Sequence, residues 1–269
     1  TLFPYTTLFR SDNAVDLLLS AIQAQKHIVI VGDFDCDGAT GTAVAMRGLK
    51  MLGAECVSYQ VPHRIVHGYG LSPALVEHIV GMKPELIITV DNGIACHAGI
   101  AAAKAQGWQV LITDHHLPGE KLPAADAIIN PNLDGDDFPS KAMSGVGVMF
   151  YLLLALRKKM RDLDILVQPE PDLSSLLDLV AVGTVADLVS LDYNNRLLVS
   201  AGIKRFRKKQ CQVGLKALAE ISGRDITKLV ASDIGFAIAP RLNAAGRLED
   251  MSLGIECLLT DDETRAYQL

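Results

Sequence analysis

Asp33, Asp35 and Asp37 stand at alternate positions in V-G-D-F-D-C-D-G (Val31–Gly38), directly after the apolar run His27–Val31. Such a run reads as a buried strand of a parallel sheet. Side chains two apart on an extended segment point the same way, so three carboxylates would converge where the strand ends. Unpaired, they would repel one another strongly. Carboxylate oxygens suit magnesium and manganese, so the chemistry implied is the holding of divalent cations. A loop that merely caps the next helix needs one Asp, not three.

The arrangement recurs along the chain. A second apolar run, Leu86–Val90, ends in Asp91-Asn92-Gly93, and a third, Val110–Thr113, ends in Asp114-His115-His116. A fourth candidate strand, Leu176–Val182, leads through Gly183-Thr184-Val185-Ala186 to Asp187. Four strand ends would thus each deliver an acid, and one adds two histidines. In an open α/β sheet, ligands bind outside the carboxyl ends of the strands.

The segments between these ends supply the frame. Helical patterns are expected over Ala14–Gln25, Thr40–Leu52, Ser72–Gly81 and Ala95–Gln106, with strands at Cys56–Val61 and Asp126–Asn130. Pro131–Ser140 reads as a polar loop and Ser144–Met160 as a strongly apolar helix packed under the sheet. Strands alternating with helices predict an α/β fold with a doubly wound, mostly parallel sheet. Pro169–Pro171 marks a break. Beyond a soft boundary near residue 192, Asn194–Arg207, Gly214–Ile221 and Ile226–Ala239 read as helices of a connecting region. Thr1–Ser11 (TLFPYTTLFRS) has no clear period and is expected to be a non-native or disordered end.

Composition narrows the function classes. The chain has 269 residues, 49% of them hydrophobic, enough for a sizeable core. No apolar run reaches the roughly 18 residues of a membrane span, which points to a soluble, cytoplasmic protein. The five cysteines Cys36, Cys56, Cys96, Cys211 and Cys257 are scattered without C-x-x-C spacing, against a disulfide framework or zinc knuckle. Cys36 reads as a packing residue facing away from the aspartates. The net charge is −6, but six of the acids belong to the proposed site, where two divalent ions would add four positive charges. Local patches decide polyanion binding. Lys204-Arg205-Phe206-Arg207-Lys208-Lys209 is either such a DNA contact or a solvated helix face. No G-x-x-x-x-G-K-[ST] is present, and no Ser–His or Cys–His pair is evident, which disfavours nucleotide-driven work and a covalent route.

D-F-D-C-D-G, V-D-N-G, T-D-H-H and V-A-D, in this order, resemble the four motifs of the DHH phosphoesterase superfamily. H-G-Y-G-L (His67–Leu71), I-I-N-P-N (Ile128–Asn132), S-G-V-G (Ser144–Gly147) and A-P-R-L-N-A-A-G-R-L (Ala239–Leu248) are similar to its single-strand-specific exonucleases. The likeness runs from about Asp12 to the end. It implies a DHH-type domain over residues 12–192 and a helical connector, 193–269, toward a DHHA1-type domain that this sequence lacks, along with an oligonucleotide-binding fold.

The resemblance also implies roles. Asp35, Asp37, Asp91, His115 and Asp187 would be metal ligands, with Asp91 bridging two Mn²⁺ or Mg²⁺ ions and Asp33 an additional ligand. Asp114 would orient His115, and His116 would face the substrate as an acid or charge stabiliser. Arg64 is a candidate anchor for a terminal phosphate, with Tyr69 a stacking partner for a base or a plain surface residue. Arg241, Asn243 and Arg247 are candidate backbone-phosphate contacts, with Gly246 permitting close backbone approach. Ser144 would open a helix whose N–H groups face phosphate, or simply enter that helix.

The function implied is a two-metal exonuclease that hydrolyses single-stranded DNA from 5′ to 3′ in DNA repair and recombination. Its protein partners would include a helicase or a single-strand-binding protein. The alternatives are a phosphodiesterase of short oligonucleotides or cyclic dinucleotides, an inorganic pyrophosphatase, and an inactive DNA-binding scaffold.

Overall fold

The computed structural model describes residues 12–248 and 251–269. Thr1–Ser11 lies outside them. Helix α1 (Asp12–Gln23) leads into β1 (Ile28–Gly32), α2 (Cys36–Met51), β2 (Val57–Gln60), α3 (Pro73–Ile79), β3 (Leu86–Val90), α4 (His97–Ala105), β4 (Gln109–Thr113) and β5 (Ala127–Ile129). The five strands form one sheet in the order β2-β1-β3-β4-β5, every pair parallel.

Parallel sheets of this kind are covered on both faces. Every residue of β1 and β3 is buried, as their continuous apolar runs require. One face packs Val29, Val31, Ile87, Val110 and Ile112 against Leu75 and Ile79 of α3 and Ile100 and Ala103 of α4. The other face packs Ile28, Ile30, Leu86 and Ile88 against α1, α2 and α5 (Gly145–Asp162). From β1 the chain winds outward to β2, then crosses back to β3 on β1's other side. That reversal opens a crevice at the carboxyl ends of β1 and β3, where α/β sheets bind ligands.

Three expectations are corrected here. Leu176–Val182 is not a strand. A 3-10 turn, Leu173–Leu176, leads into helix α6 (Leu177–Ala186), and Asp187 follows the helix end. The run is apolar on every side because α6 is buried all round from Leu177 to Thr184; periodicity cannot separate such a helix from a buried strand. Secondly, α2 begins at Cys36, four residues before the expected start. Asp35 is its N-cap, accepting the Gly38 N–H at 2.9 Å, and Asp37 lies in its first turn. The three aspartates are therefore gathered by a loop-to-helix turn rather than by the alternation of a strand. Cys36 is buried in the core, as a packing residue should be.

Thirdly, Ile226–Ala239 is broken. It comprises a 3-10 turn (Ile226–Lys228), the short α9 (Ala231–Asp233) and a π-helical stretch (Ile234–Ile238), which continues into α10 (Ala239–Leu248). Around it lie α7 (Tyr193–Arg207), α8 (Val213–Ile221), α11 (Met251–Leu259) and α12 (Glu263–Gln268). Leu198, Phe206, Leu215, Ile234, Leu242 and Leu258 from this region share one buried cluster with Ile30 and Leu86 of the sheet. No helix among the described residues is long and apolar enough to cross a membrane.

Candidate metal centre

Each acidic side chain is delivered by an element that ends at the crevice. Asp33 follows β1, Asp91 follows β3, Asp114 and His115 follow β4, and Asp187 caps α6. Asp91 adopts φ +63°, a left-handed conformation that Asp tolerates better than most residues and that characteristically gathers at functional sites. Asn92 ties the two central strand ends together. Its Nδ2 donates to the carbonyls of Val31 (3.0 Å) and Val90 (2.9 Å), while its Oδ1 accepts the Leu71 N–H.

The structure brings Asp33, Asp35, Asp37, Asp91, His115 and Asp187 together. His115 Nε2 lies 3.0 Å from Asp91 Oδ1, 3.6 Å from Asp187 Oδ2 and 3.9 Å from Asp37 Oδ2. Asp37, His115 and Asp187 form one cluster whose ligand atoms lie within 4.8 Å of one another; Asp33, Asp35 and Asp91 form a second, and Asp91, His115 and His116 a third. Asp91 belongs to the second and third clusters and touches the first through His115. At such spacing each pair of ionised carboxylates repels by about 3–4 kcal/mol at an effective dielectric near 20.

The electrostatics record that conflict. Burial, then Asp35, pushes Asp33 up to about 7. Burial also holds Asp37 and Asp91 well above the usual carboxylate range, with Asp187 and Asp37 their next contributors respectively. Asp187 rises to about 6 for the same first reason. Burial lowers His115 to about 4, leaving a neutral imidazole, the form that ligates metals. Asp91 Oδ1, His115 Nε2 and Asp187 Oδ2 are buried, and none has a hydrogen-bond partner among the described residues. Buried polar atoms are rarely left so. Three orphaned ligand atoms converging on one point fit a divalent cation bound by oxygen and one imidazole.

Asp37 is braced differently. Gly145 N and Val146 N, at the start of α5, donate to its two oxygens at 2.6 and 2.9 Å. A carboxylate at a helix N-terminus is favoured by the unpaired N–H groups and the helix dipole. These are the N–H groups expected to face phosphate; they face Asp37 instead. Ser144 is fully buried, caps α5 and bonds Thr184 Oγ1 at 3.0 Å, so it is not a phosphate contact. A Cβ at Gly145 would come within 2.6 Å of Asp91 Oδ1, so only glycine lets α5 approach this closely.

Asp114 is also reassigned. Its Oδ1 accepts His116 Nδ1 at 2.7 Å and its Oδ2 accepts the Ile94 N–H at 2.9 Å. It orients the His116 ring and holds His115 only by the backbone N–H, at 2.7 Å, because the turn points the His115 ring inward to the acids. Burial alone would raise Asp114, but the hydrogen bonds from His116 and Ile94 outweigh it and hold the group low. The same bond raises His116, which is half-exposed at the mouth of the site.

The rim carries an aromatic ladder. Arg64 sits over the Phe34 ring at 4.4 Å. Phe34 meets Tyr69 edge-on at 6.1 Å, and Tyr69 meets His116 edge-on at 6.4 Å. The Tyr69 hydroxyl donates to the Asp91 carbonyl at 3.3 Å. Arg241, Asn243 and Arg247 lie on α10. Asn243 Oδ1 accepts the Cys36 N–H at 2.8 Å, so this oxygen steadies the start of α2. Arg241 is turned back onto the Ala237 carbonyl. Arg247 is exposed beside a cavity of about 360 Å³ that Pro240, Asn243 and Ala244 also line. Gly246 does serve a close approach, but to the Phe34 carbonyl, which a Cβ would meet at 2.0 Å.

Several residues of the site carried no role in the sequence reading. Asn130 Nδ2 donates to the His116 carbonyl at 2.8 Å, and Asn132 Nδ2 to the His115 carbonyl at 2.6 Å. Phe34 is the shelf for Arg64. Only the I-I-N-P-N stretch had been visible, and a lone Asn after a strand equally signals a turn.

Comparison with known proteins agrees with this geometry. The chain is 54% identical over 264 residues to the single-stranded-DNA-specific exonuclease RecJ of Salmonella typhimurium, and 40% identical to that of Bacillus subtilis. These matches cover 97% and 95% of the chain but 46% and 31% of the relatives, so the chain spans half their length or less. A manganese-bound exonuclease RecJ crystal structure matches all of the chain and 64% of its own at TM-score 0.85 and 38% identity. RecJ of Thermus thermophilus with Mn²⁺ matches 99% of the chain and 38% of its own at TM-score 0.80 and 36% identity. The DHH family N-terminal domain matches residues 27–184, more than half of the chain, and with the acids and histidines of its motifs meeting in one crevice, this protein belongs to the DHH family.

Proposed function

We propose that this chain is the catalytic part of a metal-dependent exonuclease that hydrolyses single-stranded DNA from its 5′ end. The observation that carries the reading is the convergence of the orphaned Asp91 Oδ1, His115 Nε2 and Asp187 Oδ2 among further buried carboxylates. Two divalent cations, Mn²⁺ or Mg²⁺, would supply an activated water and neutralise phosphate charge. Asp37, His115 and Asp187 would hold one ion, and Asp33, Asp35 and Asp91 would hold the other. His116, kept basic by Asp114, is placed at the mouth to give a proton to the departing oxygen.

Arg64, fixed on Phe34, offers a cation for a terminal phosphate, and Tyr69 a ring face for the first base. The 5′ polarity rests on the likeness to single-strand-specific exonucleases and on this rim. Residues 12–192 are read as the DHH domain and 193–269 as a connector toward a further domain. Since the substrate is a free strand, a helicase or a single-strand-binding protein is the class of partner that would present it.

The test is degradation of a 3′-labelled single strand with Mn²⁺ by the complete protein that contains this chain. Shortening should start at the 5′ end, and a bulky 5′ block should stop it. Equal degradation of blocked strands would overturn the polarity. Turnover confined to dinucleotides or cyclic dinucleotides would replace the exonuclease by a small-phosphodiesterase role.

A further inference from the structure

Residues 204–228 contain eight Lys and Arg against two acids, whereas the whole chain carries −6. The rest of the molecule, with 17 Lys and Arg against 29 acids, carries −12, so this stretch stands out as a net positive segment of +6. That stretch is the end of α7, the following turn, α8 and the 3-10 turn before α9.

Its cations fall into two groups. Arg205 donates to the Gln210 carbonyl, Arg207 to the Leu229 carbonyl at 2.9 Å, and Arg224 pairs with Asp233 at 3.2 Å. These side chains brace the turns, and Lys216 is likewise engaged, pairing with Glu263 at 2.8 Å. Lys204, Lys208, Lys209 and Lys228 are exposed, and none makes an ion pair within 4 Å among the described residues. The acid facing this group is Asp225, whose carboxyl is held low first by its bonds from Thr227, and further by Lys228 and Lys209.

The cluster is remote from the metal centre. A Cβ at Gly202 of α7 would meet the Leu177 carbonyl and Ala181 of α6, so α7 runs back along α6. Asp187 lies ten residues beyond Leu177 on α6, about 15 Å at 1.5 Å per residue. Lys204–Lys209 follow Gly202 and lie farther still.

We propose that Lys204, Lys208, Lys209 and Lys228 form a second contact for the phosphate backbone of a single strand, outside the metal centre. This deepens the exonuclease reading and rests on it. A polyanion entering a crevice lined with carboxylates needs compensating charge elsewhere on its path. Ammonium groups on long stems bind phosphate as point charges. The aromatic residue of the run, Phe206, is fully buried, so this surface holds the backbone without stacking bases and does not read sequence.

The test uses the complete protein and its Lys204→Gln/Lys208→Gln/Lys209→Gln variant, with polythymidine probes of about six and about twenty nucleotides. Affinity is measured across a salt series. The long probe should bind the variant more weakly, with its log–log salt slope shallower by about 2, near 0.7 per lost phosphate contact. The short probe should bind both proteins alike. An unchanged slope on the long probe, or equal losses on both probes, overturns the proposal. So does a loss seen only with polyglutamate, which would mark an acidic protein as the partner. Hydrolysis of the short probe by the parent protein reports separately on the metal centre, so a failed patch and a failed exonuclease reading give different results.

Discussion

At the amino edge of the sheet, His27, Glu85 and Asp126, each directly before a strand, are bonded to protein. His27 bonds the Met82 carbonyl through Nδ1 and Ser58 Oγ through Nε2, both at 2.8 Å, and Glu85 accepts the His27 N–H. Asp126 receives Lys104 Nζ and the Val110 N–H. At the carboxyl edge, the ends of β1, β3 and β4, the start of α2 and the end of α6 bring five aspartates and a histidine into one crevice, and three of their ligand atoms have no hydrogen-bond partner among the described residues. Both edges carry polar residues, so polarity alone does not mark a site. The unpaid interaction does: a fold leaves buried acids unpaired only where something else completes them.

The contrast breaks most visibly at Asp91. Asp91→Ala should lower turnover on the order of a thousandfold or more, since several kcal/mol of transition-state stabilisation pass through the metal site. The apo protein should be no less stable, because deleting one of several repelling carboxylates relieves strain. A loss of apo stability with turnover kept would reverse the assignment.

Cation binding itself should separate the edges next. At about a hundred times its Kd, Mn²⁺ should raise unfolding free energy by about 2.7 kcal/mol, seen as a higher Tm that a chelator abolishes. Asp91→Ala should lose this shift and His27→Ala should keep it. If His27→Ala also lost it, the two edges would not be independent.

A smaller effect tests how the crevice is shaped. Asn132 holds the His115 carbonyl and Asn130 the His116 carbonyl. Asn132→Ala should weaken Mn²⁺ binding by about 10–100-fold, the usual cost of removing a group that orients a ligand. Asn132→Asp keeps an oxygen but not the N–H donor and should not rescue it. Unchanged metal affinity in both variants would reduce Asn132 to a turn residue.

These positions also mark what could be read from the chain alone. Leu86–Val90 was legible to the residue, because a run apolar on both faces between turn signals has few alternatives as a short strand. Asp33, Asp91 and the Asp114-His115-His116 triplet followed from strand ends. Asp187 was found through its motif although its element was mistaken, since α6 is buried on every side. The partner of Asp114 was not legible, because adjacent histidines differ only in where the turn points them. Asn243 bonding Cys36 joins residues 207 apart, and the N–H groups that brace Asp37 lie more than a hundred residues away. Contacts of that range leave no local period in the sequence.

The smallest expected effect lies at the satisfied edge. Lys104 and Asp126 form a half-exposed pair at 2.7 Å, and exposed pairs contribute about 0.2–1 kcal/mol. Asp126 keeps the Val110 N–H when Lys104 is removed, so its carboxylate is not stranded. Lys104→Ala should therefore lower Tm by about 4 °C at most. The response of Tm to Mn²⁺ should remain that of the parent, because no ligand atom moves. A change in Mn²⁺ affinity would mean that strain at the amino edge reaches the carboxyl edge through β4 and β5, and the two ends of the sheet would have to be treated as one coupled unit.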